Sequence, residues 1–303
     1  MKILLFGYHD AGYRALRALI AGGHDVLVVT HPSPPEIPSV AALADALGLK
    51  WTTDGVESFL ALATEFRPDI MFSVYYRRIL SQDILDIPRL GSFNFHPSLL
   101  PKHRGCFSAP WAIIDGDRVT GVTCHRMTEK VDAGEIIDRE DVTIAETETG
   151  LSLYDKLVNT TASLFVRVLD RAETGSLEGT PQEGEGSFHR REVPFDGLID
   201  PQWPRARIDR FIRALYFPPY HPATVLVDGR RSTVRTIEQY DRLMRNAEVS
   251  GSPVPEIVAF VKAPTCTNAL LKAFAAITTM EPASLYSSNS AAIRSPLAAS
   301  PPR

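Results

Sequence analysis

Cysteine is scarce: Cys106, Cys124 and Cys266 are the only three in 303 residues, and they form neither a C-x-x-C pair nor an even set. A disulfide framework and a cysteine metal knuckle are therefore excluded, and no bound metal is expected. An excess of one charge is missing as well. Thirty-two Lys and Arg stand against 36 Asp and Glu, for a net charge of −4, so no global field gathers nucleic acid, and any anion must be met by a local cluster. No apolar run is long enough to span a bilayer. The opening Met1–Gly7 is too short for a signal peptide, and a cytoplasmic protein is expected. The nucleotide fingerprints are absent too. Gly7 and Gly12 have P-loop spacing, but Tyr13-Arg14 stand where Lys-Ser/Thr belongs. There is no G-x-G-x-x-G, and the second strand ends in Thr30-His31 rather than in a ribose-binding acid.

What is present is alternation of strand and helix. Residues 2–7 read as a strand, Ala15, Leu16, Leu19 and Ile20 as one face of a helix with Asp10 at its N-cap and Gly22-Gly23 at its stop, and 25–30 as a second strand. After a loop containing Pro32, Pro34, Pro35 and Pro38 come helices over about 39–48 and 56–65 and a strand at 70–74. The pattern implies an α/β fold with a doubly wound, mostly parallel sheet. Later elements are a short helix at 109–114, strands at 120–127 and after 134, and a long amphipathic helix at 150–174. In the turn between those strands Asp132 sits beside Gly134, which is free to take a positive φ. Residues 175–186 read as a linker. A smaller α+β unit follows, with a helix over 205–216 and a hairpin of 224–227 with 233–237 about Asp228-Gly229. The domains expected are 1–180 as catalytic, 187–243 as a substrate subdomain, and 246–303 as a low-complexity tail expected to be disordered, with one short helix at 269–277.

The chemistry concentrates at 92–105. Phe93 and Phe95 face one side of a strand, so Asn94 and His96 share the other at the strand's exit, and Pro97 and Pro101 stiffen the loop carrying Lys102, His103 and Arg104. Alone, such a histidine reads more readily as a satisfied core residue. Together, Asn94, His96 and Asp132 supply what acyl transfer to an amine needs: a donor for the oxyanion, a base for the amine proton, and an acid that fixes the base's tautomer. Tyr75-Tyr76-Arg77-Arg78-Ile79-Leu80 leaves the 70–74 strand at the edge where open sheets bind ligands; it could flank a planar acidic ligand or simply be surface arginines over tyrosines. Phe217-Pro218-Pro219-Tyr220 could stack a flat base or pack internally.

Those residues also carry a resemblance. Phe93-Asn94-Phe95-His96-Pro97-Ser98-Leu99-Leu100-Pro101, then Arg104-Gly105, Gly121-Val122-Thr123 and Asp132-Ala133-Gly134 resemble the formyltransferases that use 10-formyltetrahydrofolate, in family order and roughly family spacing. Tyr8-His9-Asp10-Ala11-Gly12 and Tyr75-Tyr76-Arg77 look further like the UDP-4-amino-4-deoxy-L-arabinose formyltransferase domain, and the likeness spans about 1–240. It implies Asn94, His96 and Asp132 as the catalytic set, and 10-formyltetrahydrofolate held by Tyr76, Arg77, Arg78, Ile79, Leu80 and the Asp132 loop. The substrate implied is a nucleotide-linked 4-amino-deoxysugar met by His9, Lys102, Arg104, Phe217 and Tyr220. The loop after the second strand lacks the basic residues that a transfer-RNA acceptor would want, and glycinamide ribonucleotide members usually lack the unit at 190–240. A sugar-nucleotide binder without turnover is the rival from outside catalysis. Synthesis of lipopolysaccharide or O-antigen sugars, no nucleic-acid or membrane partner, and a homodimer complete the expectations.

Overall fold

A computed structural model of the chain describes residues 1–35, 37–53 and 56–249. The described residues belong to one compact unit. Its core is a seven-stranded sheet in the order β3-β2-β1-β4-β5-β7-β8. Its strands are β1 (Lys2–Gly7), β2 (Asp25–Val29), β3 (Trp51–Thr52), β4 (Ile70–Val74), β5 (Ser92–His96), β7 (Val119–Arg126) and β8 (Ile136–Thr143), while the two-residue β6 (Arg104–Gly105) lies outside it. The first five run parallel, and β7 and β8 run antiparallel at the far edge. Helices α1 (His9–Ala21), α2 (Val40–Ala46), α3 (Val56–Phe66), α4 (Gln82–Leu85), α5 (Ser108–Asp115) and α6 (Gly150–Glu173) connect them. This is the mostly parallel, helix-flanked sheet that the alternation implies.

Period-two alternation divides the core. Ile3 and Leu5 of β1 pack with Phe72, Phe93, Phe95 and Phe165 on one face, while Leu4 and Phe6 pack with Leu27, Val29, Phe59 and Met71 on the other. Both faces of the parallel strands are thus buried, as helices on both sides require. Gly12 lets α1 close onto β1: a Cβ there would stand 2.7 Å from the Gly7 carbonyl carbon.

The remaining elements are β9 (Phe188–His189), α7 (Arg205–Ala214), β10 (Thr224–Val227), β11 (Arg230–Thr233) and α8 (Ile237–Val249). Ile208, Phe211 and Ile212 of α7 join the same core as the sheet.

Several local expectations are corrected. Asp10 is not the N-cap of α1; extended Tyr8 is, and the Asp10 carboxylate is taken by Arg14 one turn on, at 2.7 Å. The left-handed residue of the 128–135 turn is Asp132 itself, at φ 50°. Gly134 is required instead by close approach, since a Cβ would stand 2.0 Å from the Arg126 carbonyl oxygen. The hairpin's second strand starts directly after Asp228-Gly229, both at positive φ, and so comprises the polar Arg230–Thr233 rather than 233–237; two-residue loops of that conformation match strand twist best. The 175–186 linker is docked, with Thr180 and Ile136 exchanging two backbone hydrogen bonds of 2.8 Å. Helix α8 was not anticipated and runs through 246–249, where the tail was expected to begin. The rest of that tail, including the helix expected at 269–277, lies outside the described residues.

Candidate active site

Strand β5 places the chemistry. Phe93 and Phe95 are buried against Phe72 and Phe165, which turns Asn94 and His96 to the opposite face, at the last parallel strand. Antiparallel pairing with β7 then sets His125 directly across from Asn94 and Thr123 across from His96. Thr123 fastens the next loop, donating to the Ser98 carbonyl at 2.7 Å and accepting from Leu100 N–H at 3.2 Å.

His96 is 4 % exposed. Its Nε2 lies 2.8 Å from the His103 carbonyl, an oxygen that can only accept, so the proton of the neutral ring resides on Nε2 and the lone pair on Nδ1. That nitrogen faces Asp132 Oδ2 at 3.4 Å. The tautomer is therefore fixed by a backbone carbonyl, and not by the acid as the sequence implied; Asp132 faces the nitrogen that carries the lone pair. Burial pulls the His96 pKa below its ordinary 6.5, against Asp132 and the His103 carbonyl, which raise it. The ring is consequently a neutral base at pH 7.

Besides His96, two groups meet the Asp132 carboxylate. Its Oδ2 accepts from Gly105 N–H at 2.8 Å, and its Oδ1 lies 3.3 Å from His125 Nε2. Burial alone would raise its pKa, but the two imidazoles of His96 and His125 beside it, when protonated, and the hydrogen bond from Gly105 hold it well below the usual carboxylate range. His125 gives Nδ1–H to the Arg126 carbonyl at 2.9 Å, and its Nε2 stands 3.2 Å from Asn94 Nδ2. Neutral, His125 accepts from the amide; protonated, it donates to Asp132. Since an amide carries two N–H donors, one of Asn94's serves His125 and a second is left for another acceptor. His125 escaped the sequence reading because its place opposite Asn94 depends on strand direction and register, which residue types do not encode.

Gly105 has φ 86°, and a Cβ there would stand 2.2 Å from the His189 carbonyl oxygen. Gly105→Ala must displace β9 or the N–H that holds Asp132. We expect a destabilisation of about 1–3 kcal/mol by denaturant titration, together with a lower kcat.

At the C-terminal edge, Tyr8, His31, Tyr76 and Arg77 meet. His31 stacks on Tyr76 with centroids 4.3 Å apart, and its Nε2 accepts from Arg77 N–H at 3.2 Å. Burial and the cations of Arg78, Arg77 and Arg191 pull the His31 pKa down to about 4. The Arg77 guanidinium lies over the Tyr8 ring at 5.6 Å. His9, at φ 63°, bonds the Tyr154 hydroxyl through Nδ1 at 2.7 Å. Tyr154 meets Phe217 edge-on at 5.2 Å, and Phe217 lies 5.6 Å from Tyr220. Tyr220 is raised in pKa by burial and lowered by Arg77, which brings it to the same cluster. His9, Tyr76, Arg77, Phe217 and Tyr220 are thus gathered.

Arg78, through its charge on His31, borders the cluster. Leu80 is buried against Tyr76 and Ile79 is 80 % exposed, so any ligand held there by Ile79 meets backbone or a surface side chain. Lys102 and Arg104 are directed elsewhere. Lys102 pairs with Asp117 at 3.1 Å, and Arg104 donates to Gln182 Oε1 at 3.1 Å through Nε. Gln182 in turn donates to the carbonyls of Asp132 and Gly134 at 2.8 Å, so Arg104 braces the acid's loop from behind.

A profile of the formyl transferase family matches residues 3–169. The chain belongs to the formyl transferase family. GDP-perosamine N-formyltransferase of Brucella melitensis is 35 % identical over 249 residues, covering 80 % of this chain and 96 % of that relative. Among solved structures, this formyltransferase resembles the Helicobacter canadensis N-formyltransferase in complex with folinic acid and dTDP-3-aminofucose. The TM-score is 0.67 at 22 % identity, over 78 % of this chain and 87 % of that one. The sugar 3N-formyl transferase WlaRD, in the presence of dTDP and 5-N-formyl-THF, gives a TM-score of 0.65 at 21 % identity, over 78 % and 85 %.

Proposed function

We propose that the protein transfers a formyl group from 10-formyltetrahydrofolate to the amine of a nucleotide-linked aminosugar, with a GDP-linked sugar as the first acceptor to test. Similarity to the Brucella enzyme over nearly its whole length carries the acceptor class. The convergence of Asn94, His96 and Asp132 supports the chemistry.

Each residue's part follows from its surroundings. The acceptor amine attacks the formyl carbon, and negative charge develops on the formyl oxygen. The uncommitted N–H of Asn94 meets that oxygen, where a preorganised donor is worth far more than water. His96 takes the amine's proton on Nδ1, because Nε2 is already committed to the His103 carbonyl. The imidazolium so formed then turns its new N–H toward Asp132, 3.4 Å away. Asp132, kept ionised by its hydrogen bonds, stabilises that charge without taking the proton. As the tetrahedral intermediate collapses, the bond from the formyl carbon to N10 of the folate breaks and the imidazolium returns the proton to N10, so that tetrahydrofolate and the formylated amine leave and His96 is neutral again. The backbone of Arg77–Leu80 with the Tyr76–His31 stack would hold the pterin. The sugar nucleotide would lie along His9, Phe217 and Tyr220. Tyr216, Phe217, Pro218, Pro219, Tyr220, Pro222 and Arg235 line a cavity of ≈ 220 Å³. That is below the roughly 300–1,000 Å³ of whole-ligand pockets, so it suits one ring rather than a whole sugar nucleotide.

A pH prediction follows from the base. Transfer needs His96 neutral, so kcat/KM is level near pH 7 and falls in acid as pH drops through a pKa lying below 6.5. Asp132 raises that pKa, so Asp132→Asn must move the acid limb to lower pH while reducing kcat. A limb that stays in place or moves up would show that another group titrates.

The acceptor is tested by incubating the protein with 10-formyltetrahydrofolate and, separately, GDP-, dTDP- and UDP-linked aminosugars, glycinamide ribonucleotide and initiator transfer RNA. Formylated product is followed by mass. The proposal requires product with an aminosugar nucleotide; product only with glycinamide ribonucleotide or transfer RNA contradicts it.

A further inference from the structure

Beside the catalytic base, on the far side of the loop that supports it, the rings of two histidines face one another. His103 is buried, and its Nε2–H donates to Asp117 Oδ2 at 2.8 Å. Because a carboxylate only accepts, this leaves the lone pair of His103 on Nδ1. That nitrogen lies 3.1 Å from His189 Nε2. The His189 ring is held from its other side by Trp111, stacked at 4.3 Å and 11°. The pairing of β6 with β9 holds the His189 backbone, and His103 N–H, just before β6, donates to Ser187 Oγ at 2.8 Å. Among the described residues, ligand atoms of His103, His189 and Asp115 all lie within 4.8 Å of one another.

We propose that His103 Nδ1, His189 Nε2 and the Asp115 carboxylate bind a zinc-class divalent ion, with Asp117 as the carboxylate behind the first ligand. Four features fit. Two imidazoles and one carboxylate are a zinc donor set that leaves a fourth position for water. Zinc–nitrogen bonds of 2.0–2.1 Å at a tetrahedral angle place two ligand nitrogens about 3.3 Å apart, close to the spacing observed. The Asp117–His103 contact is the arrangement that orients a metal-ligating histidine and raises its basicity. The third ligand, exposed Asp115 at the end of α5, is free to swing inward. A spacing of 103, 115 and 189 matches no short metal motif, which is why the sequence implied no metal.

The ion would join three separated segments: the loop after β5, the end of α5 and strand β9. The same His103 residue whose ring binds the ion gives its carbonyl to His96 Nε2. Metal binding therefore stiffens the support of the base without touching the reacting atoms.

The test uses tag-free, full-length protein stripped with a chelator and then titrated with Zn²⁺ in competition with a chromophoric chelator, with stoichiometry measured by elemental analysis. The wild type should take up one equivalent, and its melting temperature should rise with added Zn²⁺. Asp115→Asn and His189→Ala should each weaken binding at least 100-fold. Asp117→Asn should weaken it about 10–100-fold, as loss of a partner behind a ligating histidine does. His221→Ala, an exposed histidine outside the cluster, should bind as the wild type does. Circular dichroism establishes that each variant is folded; should His189→Ala not fold, Asp115→Asn and Asp117→Asn decide the matter. Absence of stoichiometric uptake by the wild type overturns the proposal. So does uptake that survives Asp115→Asn and Asp117→Asn, or that is lost instead in Cys106→Ser.

Discussion

His96→Ala should lower kcat by about 10²–10⁴-fold while leaving the KM values for donor and acceptor within a few-fold. The ring is 4 % exposed and its Nε2 is committed to the His103 carbonyl. In the proposed mechanism its contribution is thus to a proton moving in the transition state rather than to holding either substrate. A loss in kcat alone is what removal of a transition-state interaction looks like. The substitution also leaves the buried His103 carbonyl without its donor, at a cost of about 1–3 kcal/mol. Melting curves must therefore accompany the kinetics. His96→Gln, whose side-chain amide can still donate to that carbonyl, separates the two effects: it should recover stability and not activity. Steady-state assays of tetrahydrofolate release check both variants.

Asn94→Ala should lower kcat by about 10²–10³-fold, the usual effect of deleting one oxyanion donor. Its amide lies 3.2 Å from His125 Nε2, so the same change leaves that nitrogen without the donor it accepts from, with Asp132 Oδ1 3.3 Å away. The surroundings of Asp132 would then change at the same time as the oxyanion loses its donor. The double variant Asn94→Ala/His125→Ala separates these effects. If Asn94 acts only through His125, the two losses will not add; if it meets the oxyanion itself, most of its loss persists when His125 is absent. Asn94→Asp should be worse than Asn94→Ala, because a carboxylate repels the developing charge.

Much of the scaffold was legible because it rests on periodicity. The unbroken apolar run of residues 2–7 reads as a strand, which the structure buries on both faces, and the apolar stripe of Leu153, Leu157, Leu164, Phe165 and Val168 marks α6. The pairing of Asn94 and His96 on one face of β5 was legible for the same reason. Strand direction was not. Nothing in the residues 119–126 says that β7 runs against β5, and only that direction and register bring His125 to Asn94.

Long side chains were the other blind spot. Lys102 and Arg104 read as phosphate ligands because they are basic and near the site, but their partners Asp117 and Gln182 are distant in sequence, and the fold alone brings them together. The group that fixes the His96 tautomer was misread for a related reason: a backbone carbonyl seven residues on carries no sequence signature. Glycine positions were half legible. A glycine beside Asp132 was visible, whereas the division of labour between a left-handed Asp132 and a close-packed Gly134 needed the approach of Arg126.

The central claim is that a formyl group passes to an aminosugar nucleotide at Asn94, His96 and Asp132. Its most direct test is a single-turnover reaction with formyl-labelled 10-formyltetrahydrofolate and GDP-perosamine, with enzyme in excess, run in parallel on the wild type and His96→Ala. The label should appear on the sugar nitrogen with the wild type, and at least 100-fold more slowly with the variant. Equal rates in the two proteins, or label that never leaves the folate in the wild type, would contradict the account.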